Sequence, residues 1–328
     1  MLSADNGAIP GVSLKENTST MNRRTAPGGH STGKPQSAGR HHARAEAGQF
    51  VLTIGGRSFD LSCRTLIMGI LNVTPDSFSD GGRYLDKDQA VGRALRMAEE
   101  GADIIDIGGE SSRPGSEPVS EEEETHRVVS VIEAIRKRID TPLSVDTYKA
   151  EVARRAVEAG AAMINDISAL SFDPGMAELA ARLSVPVVLM HIKGTPRDMQ
   201  KDPRYTDLIG EIKGFLDRAI QHATEAGIDP EQIIIDPGIG FGKTAEDNLT
   251  LIGHIRDFFD LGRPVLVGAS RKSFIGSLTE RSVDDRLWGS IGAAAAAALL
   301  GAHVVRAHDV AETRDALAVV DAIKRHDR

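Results

Sequence analysis

Eight short apolar runs recur along this chain, and each ends in, or runs into, a polar residue able to do chemistry: near Asn72, Glu110, Asp146, Asn165, His191, Asp236, Lys272 and His308. The runs cover residues 65–71, 104–107, 143–145, 163–164, 185–190, 233–235, 265–267 and 303–305. They are continuous rather than alternating, as expected for strands covered on both faces. Between them lie segments of helical character at 88–100, 121–138, 149–159, 174–183, 208–226 and 245–259, one containing 293–298, and one at 309–325. In 88–100 the residues Ala90, Val91, Ala94, Leu95 and Ala98 make one apolar stripe, which Gly101 ends. Ser120 is a good N-cap for the segment from Glu121, and the acidic run 121–124 then lies in the first turn, where the helix dipole favours it. Strand and helix alternating eight times predicts an α/β protein of the (β/α)8 TIM-barrel class. Active sites of that fold sit at the carboxyl ends of the strands, so the eight polar residues are expected to form one ring over one pocket. Ahead of the barrel, runs at 50–54 and 57–61 flank Gly55-Gly56, whose positive φ suits a tight turn. This β-hairpin is expected to close the amino-terminal end of the barrel.

Composition bounds this picture. The 328 residues suffice for one barrel of about 250 residues with extensions. Hydrophobic residues at 41% allow a large core, and aromatics at 4% make it a core of Ala, Val, Ile and Leu. A net charge of −8 argues against general nucleic-acid binding. No apolar run approaches the roughly 18 residues of a membrane span. The lone cysteine, Cys63, excludes an internal disulfide, suits a reducing compartment and is read as a small packed residue. Residues 1–49 are rich in Gly, Ser, Thr, Pro and Ala, with six Lys or Arg against three acids and no apolar core of a secretory signal. Such a segment buries too little to offset its ordering entropy, so it is expected to be a disordered extension ahead of one domain at 50–328.

The chemistry lies after the strands. The first strand runs into a long loop, Asn72-Val73-Thr74-Pro75-Asp76-Ser77-Phe78-Ser79-Asp80-Gly81-Gly82, and the second into Gly108-Gly109-Glu110-Ser111-Ser112-Arg113-Pro114-Gly115. Both have the composition of lids. Asp146 could be a plain N-cap, and Asn165 a turn residue. With Asp236, however, they make three hydrogen-bonding groups over one barrel mouth. An aminopyrimidinone edge can place two donors on one carboxylate, and Met190, Phe241 and Gly268 offer flat flanks. The stretch Asp236-Pro237-Gly238-Ile239-Gly240-Phe241-Gly242-Lys243 resembles a nucleotide loop only superficially. A Walker pattern needs glycine where Pro237 stands, and the glycine spacing does not fit GxGxxG. The seventh and eighth strands lead into Ser270-Arg271-Lys272-Ser273 and Arg306-Ala307-His308-Asp309. Loops at these places recurrently bind phosphate in this fold, and Arg306 and His308 alternate so that both can face the mouth.

Taken together these stretches resemble dihydropteroate synthase, the folate-pathway family of pterin-binding barrels. The likeness runs over residues 50–325, and its longest motif is Met68 to Gly82. Ser112 departs from the family's more frequent Thr but keeps the hydroxyl. The resemblance implies condensation of (7,8-dihydropterin-6-yl)methyl diphosphate with 4-aminobenzoate to dihydropteroate and diphosphate. It implies Asp146, Asn165, Asp236 and Lys272 at the pterin, with Met190, Phe241 and Gly268 around it. Asn72, Ser112, Arg306 and His308 would bind the diphosphate, with Asn72 also at Mg²⁺. Phe78, Pro114 and Ser273 would surround the aminobenzoate, and Asp80 and Arg113 would act in loop closure. By the same resemblance Asp146, Lys272, Arg306 and His308 would carry the catalytic roles. A cytoplasmic homodimer, with no nucleic-acid or membrane partner, is part of the same expectation. Two other readings stay open: a pterin-binding relative without catalysis, and a Schiff-base aldolase using Lys272.

Overall fold

The computed structural model describes residues 50–74 and 82–326. The expected extension at 1–49 and the first lid's Phe78 and Asp80 lie outside them. The described part opens with strands β1 (Val51–Ile54) and β2 (Arg57–Asp60), paired antiparallel around Gly55 and Gly56, both at positive φ. Eight parallel strands follow: β3 (Leu66–Asn72), β4 (Ile104–Gly108), β5 (Leu143–Asp146), β6 (Met163–Asp166), β7 (Val187–Met190), β8 (Ile233–Asp236), β9 (Leu266–Val267) and β10 (Val304–Ala307). Their order around the sheet is β8-β7-β6-β5-β4-β3-β10-β9. A parallel bridge between Ile235 and Val265, with Ile235 N donating to Pro264 O at 2.9 Å, brings β8 back to β9 and closes the barrel.

Helices α1 (Gly82–Glu100), α2 (Glu121–Arg136), α3 (Ala150–Glu158), α4 (Met176–Leu183), α5 (Leu208–Glu225) and α6 (Ala245–Gly253) each return the chain to the next strand. After β9 come a short α7 (Ser273–Thr279) and then α8 (Leu287–Leu299); α9 (Val310–His326) ends the chain's described part. Ser120 caps α2 as expected, its hydroxyl accepting from Glu123 N. Two expectations need correction, and one helix was not foreseen. The segment at 245–259 is not one helix: α6 stops at Gly253 and a tight 3₁₀ turn, Ile255–Leu261, follows. The short helix α7 escaped the periodicity because its seven residues span barely two turns. Cys63 is exposed rather than packed, because the turn after the hairpin holds its thiol over the Asp60 carboxylate at 3.2 Å.

Alternation along the strands divides the apolar interior in two. Outward residues such as Ile105, Ile107, Val145, Leu189 and Val305 pack under the helices. Inward residues Leu66, Met68, Ile104, Met163, Val188, Ile234, Leu266 and Val304 fill the lower barrel. Leu52, Ile54 and Leu61 of the hairpin segment join that inner cluster, so the hairpin plugs the amino-terminal end as the sequence suggested. Among the described residues no helix is long and apolar enough to cross a membrane.

Candidate active site

One inward step beyond the apolar plug, the side chains change character. Ile104 gives way to Asp106, Met163 to Asn165, Ile234 to Asp236 and Val304 to Arg306. These four come from β4, β6, β8 and β10, the alternate-strand layer of a TIM barrel. Hydrogen bonds tie three of them together. Asp106 Oδ2 accepts from Asn165 Nδ2 at 2.9 Å and from Arg306 Nε at 2.6 Å, across the intervening strands. Asp146, at the end of β5, takes Arg306 Nη2 at 2.6 Å. Arg306 is therefore clamped between two carboxylates, one of them 0% exposed.

Asp106 is the member that sequence reasoning missed. A signal was present: an acid inside Ile104-Ile105-Asp106-Ile107, on a strand expected to be covered on both faces, must have a buried partner.

The pocket's hydrogen-bonding polarity follows from what these partners leave over. Asp236 Oδ1 accepts from Gly238 N at 2.7 Å. Among the described residues Asp146 Oδ1, Asn165 Oδ1 and Asp236 Oδ2 accept no protein hydrogen bond, so three acceptors from three strands are available to a ligand. Lys272 supplies a donor: its Nζ lies 3.9 Å from the Phe241 ring centroid and has no hydrogen-bond partner among the described residues. Met190 and Phe241 belong to the small apolar cluster at this end, with Ile167, Ile192 and Met199. Gly268 leaves room beside Arg306, whose Cβ would meet a methyl there at 3.6 Å. Burial pushes the Asp146 carboxyl up to about 7 against the pull of Arg306, and the Asp236 carboxyl up to about 6. Burial and the positive charge of Arg306 bring Lys272 down to about 8.

The outer half of the site is cationic. His308 Nδ1 lies 2.9 Å from Ser270 Oγ, which also accepts from the His308 backbone N–H. Burial, then the charges of Arg271, Arg306, Lys272 and Arg113, hold His308 down to about 3. Arg113, exposed on the loop after β4, thus acts on His308 through its charge. Arg271 pairs with Asp309 at 2.5 Å and sits at φ 59, a left-handed conformation rare for a side-chain-bearing residue. Ser290 Oγ and Arg286 tie its backbone down. Asn72, at the end of β3, is half-buried with its Oδ1 beside Gly108. Ser112 is half-buried, Pro114 and Ser273 are exposed, and all three sit on the rim.

Two members of the expected ring do not face the pocket. His191 follows inward-facing Met190, so alternation turns it outward, against the Phe215 ring at 4.8 Å. Its Nδ1 meets Lys243 Nζ at 2.9 Å, and burial takes its imidazole down to about 2. Lys243 also donates to Phe241 O, so this buried pair braces the loop after β8. Gly238 crosses that brace at φ +73, where a Cβ would stand 1.9 Å from His191 O; only glycine fits. Glu110 turns to the rim instead. It accepts from Tyr148 at 2.6 Å, Lys149 at 2.6 Å and Val119 N at 2.8 Å, fastening the base of the second loop to β5 and α3.

A closed parallel barrel with acceptors and a lysine over its mouth, ringed by cations, defines a barrel enzyme that binds a flat nitrogen heterocycle and an anion. The comparisons with known proteins agree. A match to the pterin binding enzyme family spans residues 68–308, and the chain belongs to that family. It is 48% identical over 275 residues to the dihydropteroate synthase of Synechocystis sp., which covers 84% of this chain and 95% of the relative. The structure of Xanthomonas albilineans dihydropteroate synthase with 4-aminobenzoic acid superposes with a TM-score of 0.80 at 50% identity, covering 84% of this chain and 99% of that one. The same organism's enzyme in complex with 7,8-dihydropteroate gives 0.76 at 48% identity, covering 84% and 98%.

Proposed function

We infer that this chain is a dihydropteroate synthase: a transferase that joins (7,8-dihydropterin-6-yl)methyl diphosphate to 4-aminobenzoate, giving 7,8-dihydropteroate and diphosphate. The observation that carries the assignment of roles is the set of free acceptors on Asp146, Asn165 and Asp236 opposite the free donor of Lys272. A 2-amino-4-oxo pyrimidine ring presents N–H donors beside a carbonyl acceptor, the complement of that set. Met190 and Phe241 flank the ring, and Gly268 leaves it space beside Arg306.

The chemistry suits the two halves of the site. The methylene C–O bond breaks with its electron pair leaving on diphosphate, and the positive charge left behind spreads into the dihydropterin. Arg306, whose Nη1 has no partner among the described residues, and His308 stabilise the leaving anion together with Asn72 and Ser112. Asp146 supplies negative charge beside the cation. The neutral amine of 4-aminobenzoate then forms the C–N bond and loses a proton. Phe78, Pro114 and Ser273 bound that second substrate, and Asp80 and Arg113 close the loops over it and exclude water, which would otherwise capture the cation.

Mg²⁺ fits this site as a passenger on the diphosphate. Among the described residues no group of three His, Cys, Asp or Glu could cage a metal. A half-buried amide oxygen on Asn72 is the kind of single protein ligand that Mg²⁺ takes when phosphate and water supply the rest. Bound there, it would add positive charge at the leaving group. We further propose a homodimer in the cytoplasm. Trp288, Leu278, Leu299, Val319 and Ile323 are large apolar side chains left exposed on α7, α8 and α9, and a second copy would cover them.

The assay is incubation with both substrates and Mg²⁺, following diphosphate and dihydropteroate. Turnover that stops in chelator while the melting temperature holds is the expected result. Absence of product with tight pterin binding would leave a non-catalytic binding protein, and borohydride trapping of a carbonyl compound on Lys272 would favour the aldolase.

A further inference from the structure

We propose that Asp106 sets the specificity of the pocket by fixing the amide of Asn165 with its oxygen toward the ligand. A carboxamide has nearly the same shape either way round, so only its partners decide which end faces out. Asp106 decides here. It forms an ion pair with Arg306 and, as a carboxylate, can only accept, so Asn165 must give it the Nδ2 end. Turned over, Asn165 would set oxygen against oxygen beside a buried charge and forfeit a charge-assisted bond. The backbone leaves no other freedom, because Asn165 is paired in register with Asp146 and Val188, and its carbonyl accepts from Thr147 N at 3.1 Å. Asp106 itself is locked, completely buried within β4 and shared between Asn165 and Arg306 through one oxygen. The consequence is a recognition face made of acceptors alone: Asp146, Asn165 and Asp236. Such a face selects a ring edge made of N–H donors and rejects one that offers an oxygen in place of an amino group. Asp106 is thus a positioning residue, out of the ligand's reach, that writes the polarity of one that touches it.

This inference rests on the reading of the pocket as a pterin site, and its test separates the two. Affinities for a 2-amino-4-oxo pterin and for its 2,4-dioxo counterpart, both without diphosphate, are measured by calorimetry in the wild type and in Asp106→Asn. The wild type should favour the amino ring by on the order of 100-fold, the penalty of leaving one buried acceptor without its donor. In Asp106→Asn the amide of Asn165 is free to turn, and the preference should fall below about 10-fold. Equal weakening of both ligands, with the ratio kept, is what a merely structural role gives, and it overturns the proposal. A wild type that binds neither ring overturns the pterin reading and this inference with it. Should the variant fail to fold, the Asn165 side-chain amide of the ligand-free wild type decides by NMR. Slow hydrogen exchange is expected for protons held by Asp106, and exchange at the rate of a free amide refutes the role.

Discussion

The site divides into a floor borne on strands and a rim borne on loops, and the two are held by different physics. Floor residues Asp106, Asn165, Asp236 and Arg306 are fixed by strand register; Asp106 bonds to both Asn165 and Arg306, Asp236 is held by Gly238 N–H, and all but Arg306 are buried. Rim residues Ser112, Arg113, Pro114 and Ser273 stand half-buried or exposed on connections, and their order comes from anchors lower down, such as the Glu110, Tyr148 and Lys149 cluster. A floor of this kind recognises a ring with little adjustment. A rim of this kind can admit a second substrate after the first. Substitutions should therefore separate cleanly: floor changes alter stability and ring recognition together, whereas rim changes alter anion and second-substrate binding alone.

The largest break should come from Arg306→Met. The variant leaves Asp106 and Asp146 buried without their cation, and removing one partner of such a group costs about 3–5 kcal/mol. The pH dependence carries a sign. In the wild type the Asp146 carboxyl is already raised to about 7, and loss of Arg306 raises it further. A group whose folded pKa exceeds its unfolded value binds more protons in the native state, so it favours folding as pH falls through that window. The deficit in denaturant unfolding should therefore be greater near pH 8 than near pH 5. A variant as stable as the wild type at both would show that Arg306 is not clamped.

Asp236→Asn sharpens the comparison at the ligand. Gly238 N–H already occupies Oδ1 of the wild-type side chain, so an asparagine must keep its oxygen there and turn its NH₂ toward the pocket. Donor would face donor, costing on the order of 3 kcal/mol in pterin affinity. The Michaelis constant for 4-aminobenzoate should hardly move. Unchanged pterin affinity by calorimetry would sink the assignment of Asp236.

How far the sequence carried this division follows from the same contrast. The floor was legible wherever a polar residue ended an apolar run, because burial on both faces makes a strand readable and alternation then orients its last residue. Asn72, Asp146, Asn165 and Asp236 follow such runs, and alternation carries Arg306 to the same mouth. The same rule, applied without counting inward steps, misplaced His191, which is one residue too far along β7 and faces Phe215. Asp106 was hidden because its partners lie 59 and 200 residues away in the chain, and no local pattern encodes such a clamp. Rim positions were legible only through resemblance. Periodicity carries no information about a loop, and what holds Glu110 off the pocket is a tyrosine 38 residues on.

The smallest effect belongs to the rim and isolates its role. Sulfate keeps one charge state across the useful pH range, so it can stand for the anion without titrating itself. His308 is held neutral, down to about 3, by burial and by four surrounding cations. An anion among those cations lifts its pKa, so binding should take up a proton and strengthen as pH falls from about 8 toward 5.5. Protonation of Asp146 below about 7 frees Arg306 from one carboxylate and acts in the same direction. Arg113→Ala removes one exposed cation from that set. An exposed charge pair is worth about 0.2–1 kcal/mol, so sulfate affinity should fall by no more than a few-fold, while unfolding stability stays within about 0.5 kcal/mol of the wild type. Sulfate binding indifferent to both pH and the substitution would remove the anion from this end of the pocket. A loss of stability beyond that bound would mean that Arg113 belongs with the floor, and the division between a fixed floor and an adaptable rim would fail at the loop after β4.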